Sequence, residues 1–220
     1  MLARQLLSSS VLVASLSRNV EGFTARIGLA KLKNHASRNV RIFSSTSADT
    51  SSTSVQVLSQ IAVTPNNGSL LRIRHSSEST KTDMTFGLFL PGSHKKLLRA
   101  KGQTLPALYW LSGLTCDDTN FSIKAGAFAA ADREGIALVI PDTSPRGDGV
   151  PDDANYDLGQ GAGFYVDATE APWKDNYQME SYITKELPSL ILEKYGVGDV
   201  KGVFGHSMGG KSGNWSTRNV

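Results

Sequence analysis

The sequence predicts an α/β fold in which antiparallel strands come first and parallel strand–helix units follow. Three observations carry this prediction. The first strand-like stretches of the body are joined by connections too short for crossover helices, so they pair antiparallel. From Pro106 onward, continuous apolar runs appear, as expected of strands buried on both faces. Between those runs lie segments of helical periodicity, which gives strand–helix alternation.

Val55–Val63 and Leu70–His75 read as strands, and Met84, Phe86, Leu88 and Leu90 alternate strictly, predicting a half-buried strand that ends at Pro91. Gly92 to Gln103 is basic and turn-rich and reads as a solvated hairpin loop. Ala107-Leu108-Tyr109-Trp110-Leu111 is the first doubly buried strand. A helix capped by Asn120 is expected to run to about Arg133 and stop at Gly135. Ala137-Leu138-Val139-Ile140 is the second buried strand, closed by Pro141. A Gly- and Asp-rich loop spans Asp142 to Gly163. Tyr177 to Tyr195 is helical, with Gly196 as its stop and Pro188 predicting a kink or break. Val200–Phe204 is the third buried strand.

Composition narrows the function. The chain has 220 residues, 40% of them apolar, enough for one domain with a proper core. One cysteine excludes a disulfide framework and a Cys-based zinc site. No apolar run approaches the ~18–20 residues that span a bilayer. The net charge of +3 is unevenly placed. Residues 1–50 carry seven Lys/Arg against two acids, whereas the rest carries 16 against 18. The body is therefore slightly acidic, and nothing in its charge suggests nucleic-acid binding.

The basic arm is rich in Arg and Ser and poor in acids, the composition of an organelle transit peptide. Residues 1–43 are expected to be a targeting peptide, with Arg41-Ile42-Phe43-Ser44 resembling a mitochondrial processing site. A secretory reading fits less well, because four serines interrupt Leu6 to Leu16. A plastid route, with Phe23 after signal-like residues, stays open, as does a disordered arm. Residues 44–54 read as a disordered linker of Ser, Thr, Ala and Asp.

The chemistry centres on Gly205-His206-Ser207-Met208-Gly209. Gly-x-Ser-x-Gly after a strand is the pattern of a nucleophile elbow, a turn so sharp that small residues must flank an exposed serine. Ser207 is the candidate nucleophile. Ser112-Gly113-Leu114-Thr115-Cys116 leaves the first buried strand at the same edge of the sheet. An acyl-transfer site needs two backbone N–H groups aimed at the developing oxyanion. Here they would come from Leu114 and Met208. With antiparallel strands ahead of them, these features give an α/β-hydrolase layout.

The longer motifs are more specific. Tyr109 to Cys116 (YWLSGLTC), Pro141 to Gly147 (PDTSPRG), Gly161 to Thr169 (GAGFYVDAT) and Phe204 to Gly210 (FGHSMGG) together resemble the S-formylglutathione hydrolase family, also called esterase D. The resemblance covers roughly residue 55 to Gly210. It implies a serine thioesterase without cofactor or metal that hydrolyses S-formylglutathione to formate and glutathione, in formaldehyde detoxification. It also implies Ser207 as nucleophile and Leu114 and Met208 as the oxyanion hole. The resemblance also implies a small-molecule substrate, a homodimer, as relatives often form, and a cytosolic location as the alternative to an organelle. Cys116 matches a family cysteine beside the active site that confers sensitivity to thiol reagents; a small buried apolar residue is the other reading. Trp173 either walls the acyl pocket or merely packs.

His206 tempts as a base, but its side chain should point away from its neighbour Ser207. His75 and His94 are expected to face solvent. Asp142, Asp157 and Asp167 precede Ser207 and read as loop residues rather than triad members. The triad of this fold follows the order Ser, acid, His, yet the 13 residues after Ser207 contain no Asp, Glu or His. After Gly210 the family continues into an apolar small-residue helix, whereas residues 211–220 form a polar tail. The expectation is an incomplete α/β-hydrolase domain over 55–210, with the last strands, the triad acid and the histidine missing. Activity from these residues alone should then be a residual one, supplied by the oxyanion hole and binding. A general small-ester carboxylesterase and a noncatalytic truncated relative are the alternatives.

Overall fold

The computed structural model describes residues 54–94, 96 and 104–212. The targeting reading of 1–43, nearly all of the 44–54 linker, most of the 92–103 segment and the tail beyond Ser212 lie outside the described residues. Six strands form one sheet: β1 (Val55–Ala62), β2 (Ser69–Ser76), β3 (Asp83–Leu90), β4 (Leu105–Leu111), β5 (Ala137–Pro141) and β6 (Val197–Gly205). Their order is β1-β2-β3-β5-β4-β6. β1, β2, β3 and β5 pair antiparallel in succession, while β4 is parallel to both β5 and β6. The sheet is therefore mixed, as predicted.

The order corrects one expectation. β3 and β4 are not neighbours, so the segment after Pro91 closes no hairpin. β5 lies between them, because its helical crossover from β4 returns it parallel and adjacent to that strand. β5, buried at every position, then occupies the interior of the sheet beside β3.

Both faces of the central strands are covered. On one, Leu71, Ile73, Phe86, Leu88, Tyr109 and Leu111 pack with Met179, Tyr182, Leu187 and Ile191. On the other, Phe89, Leu138 and Ile140 pack with Phe121 and Ala131, and Trp110 and Phe204 lie against them. Side chains alternate between these two clusters along β4 and β5, as strand geometry requires. This also corrects β3: it is not half-buried. Phe89 faces the second cluster, where Phe128 stacks on it at 5.1 Å.

The predicted helix from Asn120 to Arg133 is two helices, α1 (Asn120–Lys124) and α2 (Phe128–Glu134). Gly126 sits between them at φ 61°, a left-handed conformation that interrupts the helix. The start belongs to Thr119, whose N–H and hydroxyl donate to Asp117 Oδ1 at 2.8 and 2.7 Å. Gly135 ends α2 at φ 67°, as expected.

The segment around Pro188 divides into α3 (Met179–Ser181), a π turn (Tyr182–Glu186) and α4 (Leu187–Tyr195), which Gly196 closes at φ 64°. Pro188 stands in the first turn of α4, where its missing N–H does least harm. The π turn just before it widens the backbone where the ring would otherwise collide with the preceding turn.

His75 does not face solvent, and His94 is half-buried. His94 Nε2 donates to the Tyr195 carbonyl at 2.8 Å. His75 is 1% exposed, lies between Phe86 and Tyr182, and engages the Tyr182 hydroxyl through Nε2 at 3.0 Å. Its Nδ1 lies 3.2 Å from the Ser76 carbonyl. A carbonyl can only accept, so Nδ1 carries the proton and Nε2 accepts from Tyr182. Glu186 stands 3.9 Å from Nδ1 and accepts hydrogen bonds from Ser77, Glu78 and Ser79. The strand pattern of β2 places His75 on the same face as Leu71 and Ile73, which is why it is buried.

Burial pushes the His75 imidazole below its ordinary value of 6.5, against the opposing pull of Glu186. The unfolded chain takes up that proton near 6.5 while the native fold resists it, so stability present above this pH is lost on acidification. The urea midpoint should fall between about pH 7.5 and about pH 5.5. In His75→Gln that decline should flatten; an unchanged slope would remove His75 as its source.

Candidate active site

β6 runs into the elbow and α5 (Met208–Ser212) leaves it. Ser207 stands at φ 55°, a left-handed conformation that costs a non-glycine residue roughly 1–2 kcal/mol. The turn is held against the end of β4: His206 N–H donates to the Leu111 carbonyl at 3.1 Å. Gly209 and Gly210 N–H then donate to the His206 and Ser207 carbonyls, each at 3.0 Å, starting α5.

Glycine is required on both sides. A Cβ on Gly205 would lie 2.6 Å from the Gly209 backbone and 2.7 Å from the Leu111 oxygen. One on Gly209 would run into the Leu111 carbonyl itself. Ser207 and His206 are exposed, whereas Met208 is buried in the main core.

The second loop lies against the elbow. A Cβ built on Gly113 would fall 3.2 Å from the Ser207 Cβ and 3.4 Å from His206 Nδ1, so the loop backbone reaches the serine closely only because residue 113 is glycine. Leu114 follows, half-buried against the main core, and Thr115 adopts φ 64°. Ser207, Gly113 with Leu114, and Met208 are thus brought together.

Cys116 is half-buried, and its carbonyl accepts from Thr143 Oγ1 at 2.6 Å and Arg146 Nη2 at 2.9 Å. Trp173 is placed differently. It opens a 3-10 turn (Trp173–Asp175) after the Gly161–Thr169 motif and packs edge-on against Tyr177, ring centroids 5.2 Å apart.

Three residues given no role by the sequence reading, Thr143, Arg146 and Tyr165, converge on this loop, with Asp142 holding Arg146. Arg146 Nε donates to both Asp142 oxygens, at 3.1 and 3.0 Å. Burial pushes the Asp142 carboxyl up from its ordinary value, and the Arg146 guanidinium opposes this. Thr143 shares the Cys116 carbonyl with Arg146, and the Tyr165 hydroxyl donates to the Ser112 carbonyl at 3.0 Å. Their signal was present only as membership of the PDTSPRG and GAGFYVDAT motifs; a loop has no periodicity from which contacts can be read. Asp142 stands in the loop after β5, where it orients Arg146. Asp167 accepts from the Ser181 N–H and hydroxyl at the end of α3.

A cleft of about 550 Å³ lies beyond this network, lined among others by Arg72, Arg74, Asp83, Asp117 and Arg146; neither Ser207 nor Leu114 lines it. Among the described residues, no group of three or more His, Cys, Asp or Glu side chains is placed to hold a metal ion, and no helix is long and apolar enough to cross a membrane.

A family model described as "Putative esterase" matches residues 77–213, more than half of the chain. The chain belongs to this esterase family. An S-formylglutathione hydrolase of Paracoccus denitrificans is 51% identical over 138 residues, which is 62% of this chain and 47% of that protein. The structure of an S-formylglutathione hydrolase from Agrobacterium tumefaciens superposes with a TM-score of 0.64 at 42% identity, covering 70% of this chain and 53% of that one. A ferulic acid esterase, at 20% identity and a TM-score of 0.52, shares the fold. The sheet is that of an α/β-hydrolase, and the chain spans about half the length of the relatives it matches.

The elbow can be tested by its strain. Ser207→Gly should stabilise the fold by about 1 kcal/mol, because glycine adopts the left-handed conformation freely. Gly209→Ala should destabilise it by about 2–3 kcal/mol, because the neighbour is backbone that cannot swing aside. Urea unfolding of the two variants measures both; equal effects would contradict the geometry.

Proposed function

We propose that Ser207 is the nucleophile of a serine thioesterase that hydrolyses S-formylglutathione to formate and glutathione. The observation that carries this reading is Ser207 at φ 55°, exposed, with the Gly113 backbone packed against it. The S-formylglutathione hydrolase relatives supply the substrate class.

In this mechanism Ser207 Oγ attacks the thioester carbonyl carbon. The carbonyl oxygen takes up the charge and accepts hydrogen bonds from the Leu114 and Met208 N–H groups. The intermediate collapses with release of glutathione thiolate, which a proton neutralises, and water then cleaves the formyl-serine ester to formate and free Ser207. Thiolate leaves easily, so oxyanion stabilisation and serine activation are the main demands. Neither His75 nor His94 is the base that takes the Ser207 proton: His75 is occupied by Ser76 and Tyr182, and His94 donates to Tyr195.

In the full-length protein, Ser207→Ala should lower kcat/KM for S-formylglutathione by about 10⁴-fold or more. Retention of activity in that variant would remove Ser207 from the mechanism. A kcat/KM for aryl acetates that exceeds the thioester value would favour a general carboxylesterase instead.

The Arg- and Ser-rich composition of residues 1–43 supports a second proposal, that they direct the protein to the mitochondrion. Fused to a fluorescent protein they should carry it there; plastid or cytosolic fluorescence would reject that destination.

A further inference from the structure

Resting on the reading of Ser207 as nucleophile and Leu114 as oxyanion donor, we propose that Tyr165 and Arg146 are positioning residues that clamp the two ends of the Ser112–Cys116 loop and so aim its amides at the reacting oxygen. The loop is not self-supporting. Thr115 is held at φ 64°, which non-glycine residues avoid, and the loop's own backbone bond, Cys116 N to Gly113 O, is long at 3.4 Å.

The restraint comes from outside. At the entry, Ser112 O accepts from the Tyr165 hydroxyl at 3.0 Å. At the exit, Cys116 O accepts from Arg146 Nη2 at 2.9 Å and Thr143 Oγ1 at 2.6 Å. In between, Thr115 N–H donates to Gly161 O at 3.0 Å. The Leu114 N–H shares its peptide plane with the Gly113 carbonyl. The plane before it is anchored at Ser112 O and the plane after it at Thr115 N–H, which limits how the Leu114 N–H can turn, while the bonds to Cys116 O hold the loop's exit.

The clamps are themselves anchored. Asp142 engages Nε of Arg146 with both oxygens, which leaves Nη2 directed at Cys116. Tyr165 is fully buried and follows Phe164 in a second consecutive left-handed conformation, φ 49° then 54°. Burial holds its hydroxyl protonated, so it remains a donor throughout the working pH range. The strained pair thus turns Tyr165 inward beneath the loop, and this placement survives only because the surroundings over-determine it.

Tyr165→Phe in the full-length protein removes one hydroxyl without changing volume, and Arg146→Met is the second variant. Each should lower kcat about tenfold while KM stays within about twofold, because a misaimed donor is felt chiefly in the transition state. Methylboronic acid, whose tetrahedral adduct on Ser207 places an oxygen where the oxyanion forms, should bind about tenfold more weakly. Amides of the 112–116 loop should exchange hydrogen faster. A raised KM with unchanged kcat, or unchanged kcat and boronate affinity in Tyr165→Phe, would overturn the proposal.

If the unsubstituted protein cleaves aryl acetates but not S-formylglutathione, the substrate reading fails and the clamp is judged on the ester. If it cleaves neither, hydrogen exchange decides: faster exchange in Tyr165→Phe supports the clamp and unchanged exchange rejects it. Should Arg146→Met not fold, Tyr165→Phe decides alone.

Discussion

The carbonyl of Leu111, at the end of β4, is the point on which the site is built. It accepts the His206 N–H, and a Cβ on either Gly205 or Gly209 would crowd it. The elbow is pressed against this one peptide group so closely that no side chain fits between. That contact sets the distance between the strand bearing Ser207 and the strand bearing Gly113. Because β4 continues directly into Ser112 and Gly113, the same peptide fixes both Ser207 and the loop facing it. Parallel pairing of β4 with β6, from Leu105–Val197 to Leu111–Gly205, brings the two strand ends level.

Such an arrangement holds a strained serine, and the packing beneath explains how. Trp110 stacks on Phe121 at 4.5 Å and meets Phe204 edge-on at 4.8 Å, with the Trp110 indole N–H on Ser112 Oγ at 2.8 Å. Burying side chains of this size is worth roughly 1.5–3 kcal/mol each. Strain of about 1–2 kcal/mol at Ser207 is smaller than the packing that would be lost if the elbow relaxed. On the far side of the loop, the bidentate pair of Arg72 and Asp118, at 2.6 and 2.9 Å, ties β2 to the segment that follows Cys116. Ser207 thus stands between a packed aromatic layer and a polar network, each anchored to a different part of the sheet.

Much of this was legible from residues alone. Alternation and apolar runs located all six strands, and Gly135 and Gly196 were recognisable helix stops because only glycine readily adopts the left-handed cap. The pattern around Ser207 identified the elbow for the same steric reason. Other features were not legible. One helix was expected where Gly126 separates two, and β3 was read as half-buried because alternation does not reveal a second layer that covers Phe89. His75 was assigned to solvent, although its strand register puts it between Phe86 and Tyr182. Arg146 and Tyr165 lie 30 and 53 residues from the carbonyls they hold, a separation at which no local pattern operates.

The sequence by itself determined the strand and helix content, the turn at Ser207 and the pairing of that turn with a glycine loop, since each follows from local sterics and periodicity. Only the tertiary structure decided the strand order, with β5 inserted between β3 and β4, and the identity of the groups that hold the Ser112–Cys116 loop. Those choices depend on which surfaces meet when the sheet is covered on both faces. Contacts between distant segments come from packing the whole chain, and a linear pattern carries no record of them.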